Sequence, residues 1–146
     1  MFSLRNADIK DCDLYYEWAN DPAVRSASFN QEKIPYENHC KWFKAKIKDV
    51  KCKMFLFMYN GVPAGQIRIV LEDEKAIINY SVAKEYRGKG FGSVMIEKAE
   101  KRIAEHGVSL FYAEVKPYNI PSCRTFEKLM YDKKRSADII EYRKKI

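Results

Sequence analysis

The stretch Ser81-Val82-Ala83-Lys84-Glu85-Tyr86-Arg87-Gly88-Lys89-Gly90-Phe91-Gly92-Ser93 constrains this chain more than any other, because the hydrophobic period changes across it. Before it, Ala76-Ile77-Ile78-Asn79-Tyr80-Ser81-Val82 has the composition of a strand. After it, Met95, Ala99 and Ile103 are spaced by four with Ile96 beside them, which predicts a long helix closing near His106-Gly107. A strand that enters a helix through such a loop aims the unpaired N–H groups of the first helical turn into one concavity, where they carry partial positive charge. A phosphate fits there. Gly88, Gly90 and Gly92 permit positive φ and remove the β-carbons that would hold a diphosphate away from the backbone, and Arg87 and Lys89 add charge at the same mouth.

The remaining elements are read around this junction. Leu14, Tyr15 and Trp18, and then His39, Trp42, Phe43 and Ile47, predict two amphipathic helices separated by an Asn20-Asp21-Pro22 turn. Lys53 to Tyr59, Gln66 to Leu71 and Ala76 to Val82 predict a three-strand antiparallel meander, with Asn60-Gly61 as its first turn. Ser109 to Val115 reads as a further strand, and Asn119 with Pro121 just inside opens a short helix. The segment from Met130 to Tyr142 supplies one or two final strands. Helices over a mixed, mostly antiparallel sheet make the fold α/β (α+β), in one domain spanning 1–146.

Composition narrows the setting. The net charge of +7 favours anionic ligands without choosing among nucleotides, phosphorylated cofactors and RNA. Cys12, Cys40, Cys52 and Cys123 form no CxxC pair and no metal-ligand spacing with His39 and His106, so reduced thiols and no metal are expected. No apolar run approaches the roughly 20 residues of a membrane span, and the first residues lack the greasy segment of a secretory signal. A soluble, cytoplasmic protein is expected, a monomer or homodimer with no membrane or nucleic-acid partner. The basic groups Lys133-Lys134-Arg135 and Arg143-Lys144-Lys145 read as solvated surface.

Two familiar phosphate loops do not match. The Walker pattern is absent, and Gly88-Lys89-Gly90-Phe91-Gly92-Ser93 is not the GxGxxG of a dinucleotide fingerprint and follows an antiparallel meander. Arg87-Gly88-Lys89-Gly90-Phe91-Gly92 reads instead as R-x-x-G-x-G and, with Tyr80-Ser81-Val82 before it, resembles the acetyl-coenzyme A loop of the GCN5-related N-acetyltransferases, the GNAT family. Asn119, Ser122, Phe126-Glu127-Lys128-Leu129 and Met130-Tyr131 resemble that family's second signature, and the order of elements fits its fold over nearly the whole chain.

The resemblance implies acetyl-coenzyme A as acetyl donor. Its pantetheine arm would lie between two splayed strands, here Ile77 to Val82 and Phe111 to Val115, pairing with exposed backbone like an added strand. Ser81, Val82 and Arg87 to Ser93 (Arg87, Gly88, Lys89, Gly90, Phe91, Gly92, Ser93) would hold the cofactor, the diphosphate on the loop N–H groups and the thioester carbonyl near the Val82 N–H. Asn119 would contact the pantetheine, Ser122 would face the sulfur, and Phe126 stands where many members carry a Tyr that protonates the leaving thiolate. That acid is therefore open, with Ser122 or a bound water as substitutes, Tyr80 and His39 also assigned to the catalytic group, and Cys123 a buried filler. A Glu common in the fourth strand is also missing, so the reading is direct attack by a neutral amine in a ternary complex, with proximity supplying most of the rate.

Residues 15–43 resemble the acceptor half of bacterial acetyltransferases acting on nucleotide-linked amino sugars, as in nonulosonic acid pathways, and more distantly that of ribosomal-protein N-terminal acetyltransferases. The resemblance implies a nucleotide-linked sugar as acceptor, with Arg25, His39 and Tyr80 binding it. His39 also fits a satisfied core-edge histidine, and Arg25 a structural ion-pair partner. Two alternatives remain: a protein N-terminus or polyamine as acceptor, and a basic RNA-binding sheet presenting Phe111 and Tyr112. A polyamine needs an acidic cleft and a nucleotide sugar a positive one.

Overall fold

Two tight turns fold the middle of the chain back on itself. Asn60 and Gly61 both take positive φ (49° and 80°), as the favoured two-residue hairpin turn requires, and Asp73 (56°) makes the second turn. In the computed structural model, which describes residues 1–146, they join β2 (Cys52–Tyr59), β3 (Val62–Glu72) and β4 (Lys75–Val82) into the expected meander. β1 (Phe2–Asn6) pairs antiparallel with β2. On the other side β5 (Leu110–Val115) runs parallel to β4, and the final hairpin of β6 (Asp132–Arg135) and β7 (Ile140–Lys145) inserts β7 next to β5, for the order β1-β2-β3-β4-β5-β7-β6.

Strand alternation sends successive side chains to opposite faces of this sheet. Phe55, Phe57, Ile67, Ile69 and Phe111 lie in the larger core, of 22 buried residues, under α4 (Phe91–Ile103) and α5 (Ile120–Lys128). The other face is covered by α1 (Cys12–Ala19), α2 (Pro22–Ala27) and α3 (Tyr36–Lys48), whose core contains only Tyr15, Phe43, Cys52, Met54 and Leu56. That smaller core leaves the centre of its face uncovered, and there Gln66 and Arg68 of β3 stand in register with Ser81 and Asn79 of β4.

Several expectations change. Asn20-Asp21-Pro22 is a turn but also a helix start: Asp21 Oδ1 accepts from the Ala23 N–H with Pro22 in the first turn, so three helices replace the expected two. α4 ends at Ile103, short of the left-handed Gly107, and β7 runs on to Lys145. Lys144 is accordingly part-buried, its Nζ 3.3 Å from the Glu100 carboxylate. Phe111 and Tyr112 are buried, so they offer no platform for bases and the RNA-binding reading falls.

β4 and β5 pair only over Lys75–Ile77 and Leu110–Tyr112, after which they part. The Ala83 N–H donates to the Ala64 carbonyl in β3, so alternation turns the backbone N–H and C=O of Val82 and Tyr80 into the gap. β4 lies so close to β3 here that a β-carbon on Gly65 would meet the Ser81 carbonyl oxygen at 2.6 Å and Met95 Cε at 2.9 Å.

Candidate functional site

A cavity of about 960 Å3 reaches from the gap between β4 and β5 to the face covered by α1–α3. At one end is the glycine loop. Gly88 and Gly90 take φ of 76° and 78°, and Gly90 is the N-cap of the 13-residue α4, leaving the first N–H groups of that helix unpaired. Nothing lies within 4 Å of where β-carbons would stand on these two residues. Gly92 has a different reason to be glycine: its β-carbon would stand 3.1 Å from the ring of Tyr80.

The loop is held from both sides. Phe91 is buried and stacks on Tyr86 at 5.6 Å, and Ser93 Oγ donates to the Gly90 carbonyl at 3.0 Å. Arg87 donates from Nε to the Val82 carbonyl at 3.0 Å and pairs through Nη2 with Asp21 at 3.2 Å, so its side chain ties the loop to the start of α2. Lys89 lies over Tyr86, 5.8 Å from its ring centroid, and does not line the cavity. Main-chain amides, open space above two glycines and an unpaired strand edge together suit a diphosphate with an extended arm.

The Tyr80 hydroxyl lies 2.7 Å from Ser122 Oγ, with Phe126 edge-on to the Tyr80 ring at 5.9 Å. Burial pushes the Tyr80 phenol above its ordinary pKa, against the opposing pull of its hydrogen bonds to Ser122 and Thr125. Phe126 is enclosed, stacked on Tyr142 at 5.3 Å. Cys123 is buried beside it, as expected for a filler.

The family model described as Acetyltransferase (GNAT) family matches residues 12–131. The chain belongs to the acetyltransferase (GNAT) family. It is an acyltransferase, an acetyl-coenzyme A-dependent N-acetyltransferase of the GNAT type. Its fold is that of spermidine N-acetyltransferase from Vibrio cholerae in complex with CoA and spermine, at a TM-score of 0.89 and 15% identity over 99% of this chain and 95% of that one. It is also similar to RimL, a ribosomal alpha-N-protein acetyltransferase in complex with coenzyme A (TM-score 0.86, 16% identity, 99% and 94% covered). An aminoglycoside acetyltransferase in complex with coenzyme A gives a TM-score of 0.84 at 16% identity over 99% and 95%. No curated protein matches the chain by sequence.

The acceptor side of this acetyltransferase departs from the sequence reading. His39 is 2% exposed, its Nε2 lies 2.9 Å from the Cys12 carbonyl, and its ring packs against Tyr16, Trp42 and Phe43. An imidazole held this way braces α3 against α1, at the edge of the cavity lining. Arg25 is neither an ion-pair partner nor a free phosphate ligand. Its guanidinium donates to the carbonyls of Ala19 (2.6 Å), Asn30 (2.9 Å) and Glu32 (3.1 Å) and to Ser28 Oγ (3.2 Å), pinning the segment after α2. Asn119 caps α5, its Oδ1 accepting from the Ser122 N–H at 3.4 Å.

Gln66, Arg68 and Glu114 are among the lining residues to which the sequence reading assigned no role. Glu114 is the single carboxylate on the lining, and its Oε2 accepts from the Tyr112 hydroxyl at 2.7 Å. The signal for the first two was polar residues alternating with Ile67 and Ile69 in a central strand. No set of side chains is grouped to hold a metal ion, and no helix is long and apolar enough to cross a membrane.

Proposed function

We propose that this acetyltransferase acetylates a primary amine on an anionic carrier, specifically the amino group of a nucleotide-linked amino sugar of the kind used in nonulosonic acid or surface-glycan synthesis. The observation that carries the reading is the charge of the cavity lining: Arg25, Arg68, Lys116 and Arg124 have no carboxylate partner, Arg87 is paired with Asp21, and Glu114 is the one lining carboxylate. A diphosphate is drawn to such a lining and a polyamine is repelled by it. At 15% identity, the likeness to a spermidine enzyme speaks for a shared fold and leaves the acceptor to the cleft.

Bound acetyl-coenzyme A supplies an activated acetyl thioester. Its diphosphate would rest on the amides of Arg87, Gly88, Lys89, Gly90, Phe91, Gly92 and Ser93, and its arm along the free edges of Ser81–Val82 and β5, near Asn119 and Phe126. The Val82 N–H faces the gap and is placed to donate to the acyl oxygen as negative charge builds there. Tyr80, held by Ser122, would carry the proton for the leaving thiolate, in place of the phenol that Phe126 lacks. The amine attacks as the free base, and Glu114 is the lining carboxylate able to take its second proton.

The test is a thiol-release assay with acetyl-coenzyme A and a panel of UDP-linked amino sugars, N-terminal peptides and polyamines. The expected result is the highest kcat/KM on a UDP-linked amino sugar. Greater kcat/KM on spermidine or a peptide N-terminus would overturn the acceptor assignment.

A further inference from the structure

Arg68 is the arginine of this chain whose burial its own contacts do not explain. It sits at the centre of β3, in register with Met54 of β2 and Asn79 of β4. Its guanidinium carbon stands 4.9 Å from the Trp42 ring centroid, and it makes no ion pair and no side-chain hydrogen bond. Three other arginines have partners: Arg5 pairs with Asp11 at 3.0 Å, Arg87 with Asp21, and Arg25 donates to three carbonyls, while Arg124 and Arg135 are exposed to water. Burial lowers the Arg68 pKa from its ordinary value, the cost of holding a charge away from water, and neither Tyr15 nor Cys52, the neighbours that oppose the shift, is a carboxylate. A guanidinium retained under that cost, stacked on an aromatic ring and facing an open cavity, presents a fork of donors ready for a planar or tetrahedral anion.

A second observation points to the same place. Gln66, two residues earlier on the same face, is 8% exposed, and its Nε2 donates to Ser81 Oγ at 3.1 Å. Its Oε1 is the sole buried side-chain nitrogen or oxygen atom in the chain with no hydrogen-bond partner. Native proteins rarely leave such an atom unpaired, so an orphan acceptor on the wall of a cavity marks where a ligand donor belongs. The two side chains are separated by about 6.8 Å along the strand, the span from one hydroxyl of a pyranose to a charged substituent on its far side.

We propose that Arg68, braced by Trp42, receives an anionic group of the acceptor, a phosphate or a carboxylate, while Gln66 Oε1 accepts a hydrogen bond from an N–H or O–H of the same molecule. This deepens the reading of the cavity as an acceptor cleft and rests on it. It makes Arg68 the residue that separates anionic from neutral acceptors.

The experiment uses wild-type protein and the Arg68→Gln and Arg68→Lys variants, each saturated with coenzyme A so that the glycine loop is filled. Calorimetric titrations with glucosamine 1-phosphate, glucosaminuronic acid and glucosamine compare a phosphate, a carboxylate and no anionic group on the same amino sugar. Wild-type protein is expected to bind one anionic probe more tightly than glucosamine, and Arg68→Gln to lose roughly 30-fold or more of that affinity. Arg68→Lys should keep the charge and lose most of the advantage, because an ammonium lacks the fork. Coenzyme A affinity should stay unchanged in both variants. The inference is overturned if wild-type protein shows no preference for either anion, or if the preference survives Arg68→Gln. An Arg68-dependent preference that extends to the sugar phosphate while UDP adds nothing would leave the inference standing and remove the nucleotide from the proposed function.

Discussion

The Tyr80 hydroxyl and Ser122 Oγ, 42 residues apart in sequence, meet at 2.7 Å beneath the start of α4. In the proposed mechanism the phenol comes from β4, and Gly92 makes the room for its ring. Tyr80→Phe is expected to lower kcat by about 100-fold or more while leaving donor affinity unchanged, the range for loss of a general acid. Ser122→Ala should have a smaller effect of the same kind. Because burial raises the phenol's pKa, the wild-type rate should hold its plateau to above pH 10 before the acid deprotonates, and the pH–rate profiles of Tyr80→Phe and wild type check this. An unchanged kcat in Tyr80→Phe would remove the assignment.

Gly90→Val tests the anion cradle. The left-handed backbone at 78° gives a side-chain residue a strain of about 1–2 kcal/mol, which denaturant melts will measure. The larger effect is expected on the donor. A branched side chain in the space over the loop should block about two charge-assisted hydrogen bonds, weakening coenzyme A by roughly a hundredfold in calorimetry.

Arg25 and Arg68 should respond to methionine with opposite signs. Arg25→Met removes four donors from the segment that follows α2 and is expected to destabilise by about 2 kcal/mol. Arg68→Met removes a desolvated charge without a counter-charge and should leave stability unchanged or raise it by about 1 kcal/mol. Urea unfolding of the two variants beside wild type decides the matter, and a large loss for Arg68→Met would make that residue structural.

Alkaline pH should unfold the protein through its tyrosines. Tyr15, Tyr80, Tyr112, Tyr131 and Tyr142 all have pKa values raised by burial, helped at Tyr131 by its bond to Glu100. Above pH 10 the unfolded chain gives up phenolic protons that the folded chain retains, so the unfolded state binds fewer protons and stability falls as pH rises. The contribution is fully present below pH 10 and is lost progressively above it. Urea midpoints measured from pH 8 to pH 11.5 should decline only beyond pH 10, together with a cooperative rise in tyrosinate absorbance.

Gly65→Ala probes the approach of β3 to β4. Its methyl would press on the Ser81 carbonyl and Met95, and displacing that peptide also moves Val82. A loss of about 1–3 kcal/mol is expected from overpacking, with a reduced kcat in the molecules that still fold.

Much of the site was legible because its parts are local. The left-handed glycines, the helix N-terminus behind them and the Asn119 cap each depend on residues close in sequence, so composition and spacing reveal them. The bracing contacts of His39 and Arg25 are not legible in the sequence because their partners are carbonyl oxygens: Cys12 for one, and Ala19, Asn30 and Glu32 for the other. Every residue carries a carbonyl, so no residue type announces it. Arg68 and Gln66 are hard to single out because a polar residue in a strand is ordinarily read as facing water, and only the small core beneath α1 and α3 leaves these two facing a cavity.

From residue order alone came the anion loop, the meander and the membership those motifs imply, since turn chemistry and hydrophobic period act over a few neighbours. The parting of β4 from β5, the meeting of Tyr80 with Ser122 and the solitary charge on Trp42 belong to the folded chain. Each is a distance between segments far apart in sequence, set by how the helices pack on the two faces of the sheet, and no local pattern encodes such a distance.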